Sequence, residues 1–278
     1  MSEGHPRYKD RLFNFIFGSE ENKAWTLSLY NAINGSNHTN PDDIEITTIR
    51  EIMYLGMRND VSFMIYEEMN LYEQQSSFNP NMPLRLFQYA GNLYEKYITQ
   101  NKLNKYGSKL LKLPVPKLVV FYNGEQEQGD EVILRLSDSF PEGSDPDIEV
   151  RVRMININYG RNRELLDACG PLREYAWIVD EIRKNTDKDG IENAIDKAVA
   201  DMPEDFAIKP FLTAHRAEVK GMLLAEYNET ATMELFKEEG RAEGRAEGRA
   251  EERRIIRDRL IGRGMSPQEA ASLTGLYV

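Results

Sequence analysis

Asp60, Glu73 and Gln75 form the grouping in this chain with the most chemical potential. The stretch from Asp60 to Ser76 reads as two strand-like runs meeting at a polar turn around Glu67 and Glu68, a hairpin of residues near 60–65 and 69–75. With the turn there, antiparallel partners sum to about 135 in residue number, which sets Asp60 beside positions 73 to 75. Glu73 and Gln75 are two apart on a strand, so they point to one face and three polar groups converge. Two carboxylates a few ångströms apart repel unless a cation sits between them, and oxygen-only ligation favours Mg2+, with Mn2+ as the substitute. Such an ion polarises a phosphoryl oxygen, activates a bound water and neutralises developing charge, the makings of a metal-dependent phosphodiester hydrolase. Acids at strand ends are also commonly just solvated, and spacing by itself leaves that reading open.

The elements that must position this group follow from patterning. Lys9–Phe17 and Glu21–Ile33 read as helices, Gly18 stopping the first and Asn34-Gly35-Ser36-Asn37 forming a loop after the second. Ile46–Tyr54 is rich in β-branched residues and predicts a strand before the hairpin. Pro83 suits the first turn of a helix from Leu84 to Ile98, in which Leu86, Ala90, Leu93, Tyr94 and Tyr97 recur on the packing face while Arg85, Gln88, Asn92 and Lys96 share the other. Lys117–Tyr122, ended by the turn pair Asn123-Gly124, and Glu149–Ile157 are further strands. Helical patterns then occupy Arg173–Arg183, Ile191–Met202 and Pro210–Tyr227. This order indicates an α/β core of about 160 residues with a helical C-terminal extension.

Gly-Arg-Ala-Glu repeats three times over Gly240–Glu251, aligning arginines in one helical stripe and glutamates in another. Each glycine costs about 1 kcal/mol against alanine, so the segment is a weak helix alone and suits either self-association or a solvated tether. Arg253–Leu260 is a basic helix, and Ser266 with Glu269 predicts a capping box opening a short second helix that closes at Gly275. The pair has the outline of a helix-turn-helix in which Gln268, Ser272 and Thr274 would face DNA; docking on its own protein is the commoner use of such a tail.

The net charge is −11, so any nucleic-acid site must be a local basic patch. One segment has that character: Leu84–Lys117 holds Arg85, Lys96, Lys102, Lys105, Lys109, Lys112 and Lys117 against the single Glu95. Arg85, Lys96, Lys102 and Lys105 are its DNA-binding candidates, Arg85 being the foremost phosphate contact; a solvated basic face is the plain alternative. Cys169 is the sole cysteine, which excludes disulfides within the chain and multi-cysteine metal clusters. It precedes Gly170-Pro171 with no histidine nearby in sequence, a poor setting for a thiol nucleophile. His5, His38 and His215 lack ligand spacing. The opening residues have no signal-peptide apolar run and no stretch approaches a membrane span, so a cytoplasmic protein is expected.

The hairpin acids come with further motifs: Asn59-Asp60, Tyr72-Glu73-Gln74-Gln75-Ser76, Asn79-Pro80-Asn81-Met82-Pro83-Leu84-Arg85, Leu93-Tyr94-Glu95-Lys96-Tyr97 and Val119–Gly124. This set resembles the bacterial recombination-promoting nuclease and transposase family of the PD-(D/E)XK superfamily, and the charged repeat tail resembles tails such proteins carry. The resemblance implies a restriction-endonuclease-like mixed sheet core flanked by helices over 1–160. It is followed by a helical extension over 161–232 and the charged repeat and helix-turn-helix-like tail over 233–278. It also implies a Mg2+-dependent DNA endonuclease of recombination or transposition. Asp60 and Glu73 are then the metal-binding and catalytic acids, Gln75 takes the superfamily's lysine position, and Asp10 is a further metal ligand from the opening helix. Gln75 lacks the lysine's charge, although its amide can orient water. Gln74, where the family commonly has histidine, points away from the Glu73 face. The competing expectation is a nuclease-fold DNA-binding or regulatory protein without turnover.

Overall fold

The computed structural model describes residues 12–47 and 61–275. They open with α1 (Leu12–Phe17) and α2 (Lys23–Asn34). Gly18 makes the tight junction after α1: its N–H donates to Asn14 O at 2.7 Å, and a Cβ there would collide with the Asn14 side chain. Then come β1 (Ile44–Ile46), β2 (Val61–Ile65), β3 (Glu68–Gln75), α3 (Met82–Gln100), β4 (Val115–Tyr122), β5 (Glu131–Arg135) and β6 (Arg151–Asn156). They form one six-stranded sheet in the order β1-β2-β3-β4-β6-β5. β3, β4 and β6 run parallel, and the β1/β2, β2/β3 and β5/β6 pairs are antiparallel. Two parallel strands need a crossover, and α3 supplies it between β3 and β4. The chain is thus a mixed α/β sheet flanked by helices, the class its patterning indicates.

β3 is buried through its length after Glu68, as expected of a strand paired on both sides and covered on both faces. Its alternation divides two cores. Met69 and Leu71 pack with Leu86, Ala90 and Leu93 of α3, while Tyr72 joins Phe13, Phe17, Phe121 and Tyr175 on the opposite side. The Phe13 ring lies 4.8 Å from Phe17, 5.1 Å from Phe121 and 5.6 Å from Tyr175.

Several boundaries differ from expectation. The hairpin turns at Tyr66 and Glu67, with Glu68 already in β3, and partners sum to 133 because Val61 pairs with Tyr72. The pair Tyr-Glu offers no turn signal; Tyr66 is nevertheless held at φ +50, its hydroxyl donating to Asp43 Oδ2 at 2.8 Å and lying 3.2 Å from His38 Nδ1. Of the strand expected over 46–54, only Ile46 belongs to described strand, at the end of β1, and 48–54 lie outside the described residues. β5 has no counterpart among the expected strands: it is a five-residue edge strand with one buried side chain, Leu134, and almost no apolar alternation.

After β6 come α4 (Arg163–Ala168), α5 (Gly170–Asp189), α6 (Ile191–Ala200), α7 (Lys209–Ala214), α8 (Arg216–Gly262) and α9 (Pro267–Thr274). Tyr175, Ile195, Leu212 and Val219 share the core cluster of Phe13 and Tyr72. The helix expected over Pro210–Tyr227 is broken at His215, and the expected separate repeat and basic helices are parts of α8, 47 residues long. By compactness the chain divides into Met1–Glu226 and Tyr227–Val278. In the second unit Arg241, Arg245 and Arg249 are exposed at four-residue spacing. The predicted capping box is present: Ser266 Oγ accepts from Glu269 N–H at 3.3 Å, and Ser266 N–H donates to Glu269 Oε2 at 3.2 Å.

Candidate active site

Strand alternation puts Glu73 and Gln75 on the α3 face of β3, in line with Met69 and Leu71. Glu73 is only 3% exposed, and a carboxylate in such a place requires charge-assisted partners. Two are present. Gln75 Nε2 donates to Glu73 Oε1 at 3.1 Å, and Arg85 Nη2 donates to the same oxygen at 3.1 Å. Arg85 comes from the first turns of α3, which start at Met82 with Pro83 where its missing N–H is harmless. The Arg85 guanidinium also lies 3.4 Å from Met82 Sδ, so it is braced between the helix start and the acid. Parallel pairing sets Val120 beside Glu73 and Tyr122 beside Gln75.

Gln74 faces the other side, as expected, but it is not idle. Its Nε2 donates to Asn123 Oδ1 at 2.7 Å, and Asn123 Nδ2 donates to the Tyr175 hydroxyl at 3.4 Å. Arg183 of α5 donates to Asn123 O and, at 3.1 Å, to Asn158 Oδ1. This polar layer ties the C-terminal ends of β3 and β4 to α5. Sequence reasoning missed it, because Asn123-Gly124 reads as a turn and nothing in Arg183 signals a partner sixty residues away.

The other expected site residues divide three ways. Asp60 and Asp10 lie outside the described residues. Arg85 and Lys96, expected to contact DNA, are instead engaged within the molecule: Arg85 with Glu73, and Lys96 Nζ with Thr47 O at 3.1 Å. A helical-wheel reading sees only the outward face of α3 and not the acid or carbonyl that each long side chain reaches. Lys105 pairs with Glu95 at 2.5 Å at the surface, and Lys102 is exposed. In the tail, Gln268 and Ser272 are exposed, but Thr274 is buried and its Oγ1 donates to Ala270 O at 2.8 Å, which removes it as a DNA contact.

Among the described residues no three of His, Cys, Asp and Glu are grouped to hold a metal ion, and two of the three expected ligands fall outside them. A groove of about 520 Å³ beside α2, lined by Ser28, Asn31 and His38 among others, includes neither Glu73 nor Gln75. Cys169 is fully buried and burial pushes its thiol up to about 11. A thiol-specific disulfide reagent at mildly alkaline pH is therefore expected to label the chain only after unfolding; rapid labelling of the native protein would reopen the nucleophile reading. Among the described residues no helix is long and apolar enough to cross a membrane. Compared with known protein families, with curated proteins and with solved structures, the chain matches none.

Proposed function

We propose that the chain is a metal-dependent DNA endonuclease that hydrolyses phosphodiester bonds, built around Glu73, Gln75 and Asp60, in the manner of the recombination-promoting nucleases it resembles. The observation that carries this reading is the placement of Glu73. It is a nearly inaccessible carboxylate on the central strand, bonded to the same-face amide of Gln75. Asp60 directly precedes Val61, whose strand partner Tyr72 directly precedes Glu73. The donor set suits a hard divalent cation, since carboxylate and amide oxygens are its preferred ligands. Glu73 and Asp60 would hold Mg2+ or Mn2+, with Asp10 as a further ligand. The bound ion would act as Lewis acid toward the phosphate and its attacking water.

The chain's own groups have distinct parts in this. Gln75 fixes the Glu73 carboxylate through Nε2, which leaves its carbonyl oxygen as an acceptor to orient a water. Arg85 balances the Glu73 charge and, being 29% exposed, can exchange that partner for a phosphate oxygen. The ion pair also favours a second reading, a DNA-binding or regulatory protein without turnover, because the acid already has a cation from its own chain. Supercoiled plasmid incubated with the protein and Mg2+, Mn2+ or EDTA separates the two: relaxation only with metal is expected, and retardation without cutting would select the second. A cytoplasmic location belongs to the same proposal.

For α8 beyond Glu226, we propose self-association through the stripe that carries Arg241, Arg245 and Arg249. Glycine at every fourth position lets a second helix approach closely, and offset charges can pair across the contact. Truncation after Met233 is expected to lower the mass seen by light scattering while the first unit stays folded. An unchanged mass would make the segment a tether.

A further inference from the structure

The connection from α3 to β4 is an ordered surface loop whose chemistry differs from the rest of this acidic chain. Its backbone is fixed at both ends. Asn101 N–H donates to Tyr97 O at 3.0 Å and Leu103 N–H to Ile98 O at 2.9 Å, closing α3, with Lys102 between them at φ +53. Asn104 Oδ1 accepts from Tyr106 N–H at 3.0 Å, a local turn that sets Tyr106 at the tip. At the far end the Tyr94 hydroxyl donates to Pro114 O at 2.8 Å, and Val115 N–H donates to Glu67 O at 2.7 Å.

This scaffold holds Tyr106 89% exposed and Leu110 82% exposed. Lys102, Lys109 and Lys112 are exposed too, and no described acid pairs with any of them. Lys105 lies 5.6 Å from the centre of the Tyr106 ring. Single apolar side chains on a surface need no explanation. A presented ring, its neighbouring ammonium and three ammonium groups with no acidic partner among the described residues, all in one loop of a chain with net charge −11, do need one.

We propose that this loop binds single-stranded nucleic acid, with Tyr106 stacking on an unpaired base and Lys102, Lys109 and Lys112 holding the phosphates beside it. An exposed aromatic tip among cations is the arrangement that takes up bases irrespective of sequence. The alternative anionic surface, a lipid bilayer, calls for a broad apolar helix face, which Tyr106, Leu110 and Leu113 on an irregular loop do not supply. The proposal rests on the nuclease reading only in what it adds to it, namely the form of the substrate. Val115 pairs with Glu68 and Val120 with Glu73, so the point where the loop enters β4 stands about 17 Å from the acid along the strands. A bound strand would thus be gripped away from the acid.

The test is fluorescence anisotropy of the full chain with a labelled oligothymidylate in EDTA, where cleavage is not required. Tyr106→Ala is expected to weaken binding by about tenfold while Tyr106→Phe retains it, and Lys109→Glu with Lys112→Glu to weaken it and flatten its salt dependence. Unchanged binding by Tyr106→Ala would overturn the proposal. So would tighter binding of a blunt duplex, or a wild type that ignores the oligonucleotide and floats with phosphatidylserine vesicles. The expected binding pattern together with a metal-independent or absent plasmid cleavage would remove the nuclease reading and leave this one standing.

Discussion

Glu73→Gln is expected to lower metal-dependent plasmid cleavage by about 10²–10³-fold, the size of effect seen when one group aimed at developing charge is removed. The substitution keeps the shape of a side chain that is 3% exposed and removes the charge that would hold the cation. Folding should survive, with the melting temperature holding or rising. The variant no longer confines an ion to the interior, and Arg85, at 29% exposure, can be hydrated instead. Asp60→Asn is expected to act in the same direction. Gln75 gives the informative contrast, because its Nε2 donates to Glu73 Oε1 at 3.1 Å. A lysine at that position can donate to the same oxygen, so Gln75→Lys should be tolerated or should raise cleavage, whereas Gln75→Ala should lower it. Full cleavage by Glu73→Gln would refute the assignment of this acid.

The hairpin and the face of β3 were legible because strand alternation is a local property: Asp-Val-Ser-Phe-Met-Ile and Met-Asn-Leu-Tyr-Glu-Gln announce themselves without reference to the rest of the chain. The same locality explains what was not legible. Tyr66 occupies a turn position that favours glycine or asparagine, and it is held there by Asp43 and His38, more than twenty residues away. β5 was invisible because an edge strand with one buried side chain has almost no periodicity. The continuity of α8 through its glycines was obscured because propensity counts each glycine as a penalty one residue at a time. For Arg85 the helix position is legible in the sequence and the partner is not. A wheel projection gives the direction of a Cβ, and an arginine reaches several ångströms beyond it to an acid on another element.

That partner gives Arg85 a large expected effect on stability. Arg85→Met removes a cationic partner from a carboxylate that stays buried on β3, and losing charge compensation in the interior is expensive. The expected cost is about 2–3 kcal/mol, below that of a wholly buried pair because the guanidinium is partly hydrated already. For a unit of this size that corresponds to a fall in melting temperature of roughly 4–12 °C. The double variant Glu73→Gln, Arg85→Met has no charge left to desolvate and should recover most of the loss. The cycle would then show a coupling of 1 kcal/mol or more in order of magnitude, where well-separated sites would simply add. If Arg85 served DNA phosphates alone, Arg85→Met would leave the melting temperature untouched and weaken only DNA binding. Thermal melts of the four proteins, read with their affinity for a duplex in EDTA, distinguish a guanidinium that neutralises the acid from one that waits for substrate, and additive melting shifts would rule out the first.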